Sequence, residues 1–386
     1  MVDFEVHNFE AIQKYIGDHS VACEWKVRNA CRAVFTEKFA KALKDDLAEL
    51  QATAPHLASR ARIVDDPKVL KEELRLKTAP LAMVVTTVAQ LWPYKLISHI
   101  LTRCIQSSYL NLQTNTPVDS ISKSKDSAGL VVQTPRGSIK ARHIILATNG
   151  YTSHLVPEFS DLIVPERGSM SALIPPPGSK QLPNTYGFMG SNGAGELQFD
   201  YLIQRYDGDR HLMFGGGKAA ATTHYVGTVD DSILDLGSAR YLRTALLKIL
   251  TWDGVAEPEE GQEEELEAAF EWTGIWGTSR DGLPWVGEVP GRSNVWLAGG
   301  YSGHGMPNGK LCGKTAVEML LGRETGAPQD YVEERLVTKG EIPRCYLISE
   351  ERIERCRRLP TVEEQVRMDA MGLGTLRAWQ RGEAAV

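Results

Sequence analysis

The first third of this chain is short of glycine. Gly17 is the only glycine before Gly129 in a sequence of 386 residues. No GxGxxG or P-loop turn, whose glycines let backbone approach a phosphate, can lie there. Clusters of basic residues are also missing. The net charge is -6 and Lys and Arg are scattered, which argues against a nucleic-acid-binding tail. There is no long apolar run, and the most apolar stretch, Leu81 to Val88, is far too short to cross a bilayer. Neither a basic start followed by an apolar segment nor a peroxisomal ending occurs, so a cytoplasmic protein is expected. Cys23, Cys31, Cys104, Cys312, Cys345 and Cys356 form no CxxC pair and no His-paired metal spacing, so reduced thiols and no metal site are expected. Without a GxSxG elbow, an HExxH helix or a phosphate-cradling lysine loop, hydrolase, zinc protease and nucleoside triphosphatase readings drop out.

What is present is a mixed α/β pattern. Phe9, Ile12 and Ile16 share one face of a helix expected over Phe4 to Ile16. Phe35, Phe39, Leu43, Leu47 and Leu50 form a stripe that predicts a helix from Arg32 to Thr53, stopped by Pro55. Asp65-Asp66-Pro67 predicts a capped helix running to Leu76. A helix follows Trp92-Pro93 through Ile97, Ile100, Leu101 and Cys104, and then a strand and turn over Asn111 to Val118. Leu130 to Thr134 and Ser138 to Ala141 flank Pro135-Arg136-Gly137 as a hairpin. His143 to Tyr151 reads as a buried strand ending in a polar glycine turn. Met170 to Ile174, Leu197 to Arg205 and His211 to Gly215 read as short strands, and Ser232 to Trp252 as a helix. The acidic run from Glu257 to Glu267 reads as a solvated face. From Gln329 onward the chain is charged, and Glu351 with Arg355 and Glu354 with Arg358 have the spacing of an exposed helix.

The densest stretch runs from Trp272 to Gly322. Ser279 to Gly287 is rich in turn residues, and Arg280 and Asp281 are expected to pair with each other or with their loop. Asn294 to Gly300 is a compact apolar strand. Tyr301-Ser302-Gly303-His304-Gly305-Met306-Pro307 is a glycine turn that feeds a helix carrying Leu311, Cys312, Thr315, Ala316, Met319 and Leu320 at helical spacing. Strand, glycine turn and helix N-terminus together suit an electron-rich group, because unpaired N–H groups and the positive end of the helix dipole point into the turn.

The ordered set GTSRDGLPWVG, VWLAGG and GYSGHGM resembles the C-terminal signature of the FAD-dependent oxidoreductases that include D-amino-acid oxidase, glycine oxidase and sarcosine oxidase. The resemblance implies an incomplete Rossmann-like FAD-binding domain interleaved with a mixed antiparallel-sheet substrate domain. The FAD-binding part is expected at 1–168 and 273–328, with 35–95 lending elements to the substrate side. The substrate domain is expected at 169–272 and a charged helical tail at 329–386. It also implies that Gly300, Tyr301, Ser302, Gly303, His304, Gly305 and Met306 face the pyrimidine carbonyl of the flavin. Thr148, Asn149 and Gly150 would close over the dinucleotide, with Asn149 inserted before the glycine of the family's Ala-Thr-Gly motif, and Val118 would present its backbone to the adenine.

A family member should open with a strand, a GxGxxG turn and a helix, and this sequence has none of these. Three explanations stand together: a truncated reading frame, loss of FAD with another role retained, or a partner chain that supplies the unit. The implied activity is oxidation of the C–N bond of a small amine or amino acid by hydride transfer to flavin, with oxygen as acceptor. The alternative is a flavin-free binding or scaffold protein, or a non-redox enzyme. His304 is a candidate for a place beside the flavin. Lys218, after Gly215-Gly216-Gly217, is a candidate to favour oxygen reduction by its charge. Tyr201 and Arg205, four residues apart on a candidate strand, are candidates to bind a substrate carboxylate. Neither the substrate nor the oligomeric state is written in these motifs.

Overall fold

The computed structural model describes residues 1–124, 129–190, 199–253 and 264–370. In chain order its elements begin with α1 (Val2–Asp18), β1 (Lys26–Val34), α2 (Glu37–Thr53), α3 (Pro55–Ala58), β2 (Ala61–Val64), α4 (Pro67–Glu72), β3 (Leu81–Gln90) and α5 (Pro93–Gln106). There follow β4 (Ser120–Lys123), β5 (Leu130–Thr134), β6 (Gly137–Ala141), β7 (Ile144–Leu146), α6 (Thr152–Leu155), β8 (Ile163–Leu173), β9 (Thr185–Met189), β10 (Phe199–Gln204) and β11 (Leu212–Gly216). The last are α7 (Leu236–Ile249), β12 (Ala268–Ser279), β13 (Trp285–Glu288), β14 (Val295–Gly299), α8 (Gly305–Glu324), α9 (Gln329–Thr338), α10 (Glu350–Arg358) and α11 (Val362–Ala370). Among the described residues no helix is long and apolar enough to cross a membrane.

An eight-stranded sheet in the order β12-β8-β11-β10-β9-β1-β3-β2 forms the body of the molecule. Its pairings are antiparallel except for β1 against β9. One face is covered by α7, which buries Leu242, Leu246 and Ile249 against Leu173, Leu202, Leu212 and Phe214. Each such side chain contributes about 1.5–3 kcal/mol when fully buried. Asp235 starts α7 by accepting from Ser238 N at 2.8 Å, and its second oxygen takes the backbone N–H groups of Thr222 and Thr223. A second, three-stranded sheet has the order β13-β14-β7, with β14 parallel to β7. Helix α8 packs on it. A third sheet, β4-β5-β6, contains the expected hairpin.

Several expected bounds are corrected. The helix predicted from Arg32 begins only at Glu37, where the Thr36 side chain accepts from Phe39 N. Residues 26–34 pair on both sides, with β3 and β9, and that pairing outweighs the helical stripe. The helix predicted to Leu76 ends at Glu72 because the chain reverses through Arg75, at φ +59°, and returns Leu76 N to Leu70 O. The helix predicted over Ser232 to Trp252 is shorter at both ends, because Ser232 is held in a turn by the Asp230 carboxylate. Asn111 to Val118 forms no strand. No described strand lies alongside to complete its ladder, Tyr109 is 90% exposed, and Arg136 pins the segment through Gln113 and Thr116. Val118, proposed for the adenine, packs at the rim of the cluster around Leu130, Leu146 and Phe159. The start of the predicted Leu197 strand and most of the acidic run lie outside the described residues.

Candidate active site

Three chain segments cross where β14 ends. Gly300 has φ +70°, and a Cβ there would meet Trp285 Cδ1 at 2.9 Å. Ser302 at φ +49° and Gly303 at φ +84° complete the bend into α8. Asn149 stitches the bend to the end of β7: its Oδ1 accepts from Gly300 N at 3.0 Å and Tyr301 N at 3.4 Å. The end of β12 holds the other side. Ser302 N donates to Gly277 O and Ser302 Oγ accepts from Ser279 N, both at 2.9 Å. The segments touch backbone to backbone. A Cβ on Gly150 would lie 2.6 Å from Trp276 O, and one on Gly277 would lie 2.9 Å from Asn149 Oδ1. Thr148 bonds Thr152 Oγ1 at 2.9 Å, anchoring the far side of the Asn149-Gly150 turn. Residues 148–150 and 300–306, far apart in sequence, are thus one structure.

The bend is open on its outer side. A Cβ on Gly303 would meet nothing within 4 Å, and His304 and Met306 are exposed. His304 precedes α8 without a side-chain cap, so the first-turn N–H groups keep the orphan donors and positive dipole end of an uncapped helix. The His304 ring folds back on its own turn, with Nδ1 3.3 Å from Ser302 O. Tyr301 is half-buried, and burial raises its hydroxyl above the usual range. Behind the bend, α1 locks the start of α8: buried Asn8 donates to Met306 O at 3.1 Å and accepts from Leu311 N at 3.0 Å. Asn308 Nδ2 bonds His304 O and Glu5, while its Oδ1 is buried without a hydrogen-bond partner.

The other sequence candidates lie further along the eight-stranded sheet. Lys218 is ion-paired with Glu166, which is buried, and its Nζ lies 4.4 Å from the centre of the Trp276 ring. Glu166 also takes the Thr278 hydroxyl at 2.6 Å, and Thr278 takes the Trp276 indole N–H. Glu166 therefore offsets the charge for which Lys218 was singled out. Tyr201 lies across Gly215 and Met170 on the sheet face away from α7. Burial, then the neighbouring Asp200 carboxylate, raises its hydroxyl.

Arg205 does not join Tyr201 in a clamp. It lies beyond the end of β10, about 13 Å along the chain at strand rise. It bonds Glu24 at 3.1 Å and stacks on Trp92, while Lys95 shares the same carboxylate.

Arg280 and Asp281 do not pair with each other. Arg280 reaches Asp161 and the carbonyls of Arg357 and Leu359. Asp281 accepts from Arg352 Nε at 2.9 Å and Nη2 at 3.0 Å, from Ser279 Oγ and from the Cys356 thiol. Burial works to raise the Asp281 carboxyl, but the Arg352 guanidinium and these hydrogen bonds overcome it and hold the carboxyl low. The helix expected in the charged tail is present as α10. It is exposed on one side only, with Arg352 and Cys356 buried. Sequence reading missed Asn8, Glu166, Trp276, Gly277, Ser279 and Arg352. Each acts through a long-range contact; only the turn residues around Ser279 gave a local signal.

The family model for FAD-dependent oxidoreductases (DAO) matches residues 1–319. The probable oxidoreductase OrdL of Rhizobium meliloti (strain 1021) is 26% identical over 202 residues, 52% of this chain, and the match spans 41% of that protein's length. Glycine oxidase from Geobacillus kaustophilus superposes with a TM-score of 0.63 at 20% identity, over 81% of this chain and 76% of that one. L-Proline dehydrogenase from P. horikoshii gives 0.62 at 16% identity, over 88% and 83%. Iminodiacetate oxidase from Chelativorans sp. BNC1 gives 0.63 at 16% identity, over 84% and 80%. These likenesses carry the fold. With the family model covering residues 1–319, this chain belongs to the FAD-dependent oxidoreductase family, a family of enzymes.

Proposed function

We propose that this chain carries the isoalloxazine and substrate side of an FAD-dependent oxidoreductase that oxidises the C–N bond of a small amine or amino acid, with oxygen as electron acceptor. The observation that carries this reading is the open bend at Gly300–Met306, fixed by Asn149 and Ser279 at an uncapped helix N-terminus. FAD-dependence of the family and the amino-acid and amine oxidases among its relatives by fold support it.

The residues present fit the ring end of the cofactor. Gly303 leaves room for a flat group, and the first turn of α8 offers N–H donors and a positive dipole. They do not supply a glycine cradle for the pyrophosphate. A bound flavin would supply the hydride acceptor, which is the difficult part of the chemistry. The chain's own part is to position and tune. Asn149 and Ser279 fix the direction of the bend. The α8 terminus stabilises negative charge placed in the bend. Lys218 and Glu166 set a nearly neutral pair beside Trp276 rather than a lone cation. Tyr201, half-exposed on the sheet face away from α7, would meet a substrate laid on that face.

Titration of the purified chain with FAD, followed by visible absorbance and by peroxide formed from a panel of amines and amino acids, tests the reading. Flavin uptake with amine-dependent bleaching and peroxide is expected. A chain that takes up flavin but is reduced by no amine or amino acid would remove the substrate class. A chain that takes up none would favour the flavin-free alternative.

A further inference from the structure

On β12, Trp272, Gly274 and Trp276 alternate onto one face of the eight-stranded sheet, opposite the face covered by α7. Their partners on β8 are Met170, Gly168 and Glu166. Two glycines, Gly274 and Gly168, therefore sit directly across from each other in the middle of an aromatic stretch. The Trp276 ring leans over Gly168, where a Cβ would lie 2.5 Å from its edge. Above Gly274 there is nothing within 4 Å of where a Cβ would stand. The result is a notch with Trp276 on one side and Trp272, 40% exposed, on the other. Tyr201, also 40% exposed, extends the same row beyond Met170 and Gly215.

The spacing of the notch suits one kind of group. Trp272 and Trp276 are four strand residues apart, about 13 Å between Cα atoms. Gly274 stands two residues, about 6–7 Å of strand, from each, so a flat ring over it falls within reach of both at the separations where aromatic rings attract edge to face or offset. Gly277, whose carbonyl holds Ser302 N, is three residues further along the same strand. The notch thus stands about 10 Å along β12 from the flavin-facing bend. A small amine could bridge the two.

We propose that the notch over Gly274, walled by Trp272 and Trp276, seats an aryl group, so that the substrate is an arylalkyl amine or aromatic amino acid. This rests on the amine-oxidation reading above and narrows it to a substrate class.

The test compares 2-phenylethylamine with 2-cyclohexylethylamine, which match in size but differ in aromaticity, by calorimetric titration of the chain with neither flavin nor turnover involved. The phenyl compound is expected to bind about fivefold tighter. Gly274→Leu fills the notch from extended backbone with open space around it, and is expected to weaken both compounds by at least about tenfold. Trp272→Leu is expected to abolish the preference for phenyl. Circular dichroism would confirm that each variant is folded.

Equal or reversed affinities, no binding of either amine, or unchanged binding in Gly274→Leu would overturn the proposal. So would competition of lumiflavin with the amine coupled to loss of lumiflavin binding in Trp272→Leu, because the notch would then seat the flavin. Flavin reduced faster by aliphatic than by aryl amines would sink this inference and leave the oxidase reading standing. Amine binding with no flavin reduction would do the reverse.

Discussion

The two main sheets of this molecule are covered differently. The eight-stranded sheet buries one face under α7 and ends in the twelve-residue β12 at one edge and the four-residue β2 at the other, and its side chains that face α7 are almost wholly buried. In the three-stranded sheet, β7 has no partner strand on its second edge among the described residues. Apolar side chains stay exposed nearby in sequence and on the helix that leads there: Tyr94, Ile97 and Ile105 on α5, then Tyr109 and Leu112, and Ile145 on β7 itself. Ladder hydrogen bonds need a neighbour, and an apolar stripe needs a covering face. The eight-stranded sheet carries its exposed apolar residues, Phe199, Tyr201, Phe270 and Trp272, on the face away from α7, whereas those near β7 flank a strand edge with no described partner. The bend at Gly300–Met306 lies at the junction of the two sheets and is held from both.

That comparison can be broken most sharply at Asp281. Arg352→Met strands a buried carboxylate in the loop that steadies Ser302 through Ser279, and should cost about 3–5 kcal/mol in urea unfolding. A loss below 1 kcal/mol would show that the C-terminal helices are an accessory to this core. The next effect is pH-dependent. Although burial pushes it upward, Asp235 is held down at about 2 by the N–H groups of Ser238, Thr223 and Thr222 and by the Thr223 hydroxyl. A depressed carboxyl contributes stability that is complete above the unfolded value, near 4, and is lost as pH falls towards 2. Asp235→Asn should therefore lose about 2 kcal/mol at pH 7, and the gap to the parent should close between about pH 4 and pH 2. A gap independent of pH would contradict the assignment.

Asn149→Ala removes the acceptor of two backbone N–H groups in the bend. A destabilisation of about 1 kcal/mol and a roughly tenfold weaker flavin affinity are expected from equilibrium unfolding and flavin titration. The smallest effect should come from α5. Ile97→Lys, on the exposed face of α5, should change stability by less than about 0.5 kcal/mol. A loss of several kcal/mol would mean that this face is already covered in the protein in solution.

Local signals carried much of this fold. The stripe Phe39, Leu43 and Leu47, the Asp66-Pro67 start, the hairpin about Arg136-Gly137 and the turn from Gly300 to Met306 are each written in consecutive residues, and each appears where its pattern is strongest. What was illegible depends on partners distant in sequence. The helical stripe could not reveal that residues 26–34 pair with β3 and β9. The strand over Asn111 to Val118 was read from composition, but a strand exists only beside another strand. Asn149 looked like an insertion within a familiar motif; its purpose is visible only when Gly300 stands 3.0 Å away. Arg205 was chosen for its charge, and that charge is engaged by Glu24. Arg352 looked like one more charge on a solvated helix, because nothing in its neighbourhood names Asp281, 71 residues earlier.

The bend is proposed to hold the ring end of a flavin without help from a pyrophosphate cradle in these residues. Fluorescence titration of the chain with lumiflavin and with FAD, side by side, measures this directly. The prediction is saturable binding of both, with dissociation constants within about tenfold of each other and both weakened in Asn149→Ala. Failure of lumiflavin to bind, or FAD binding more than a hundredfold tighter and indifferent to Asn149, would contradict it.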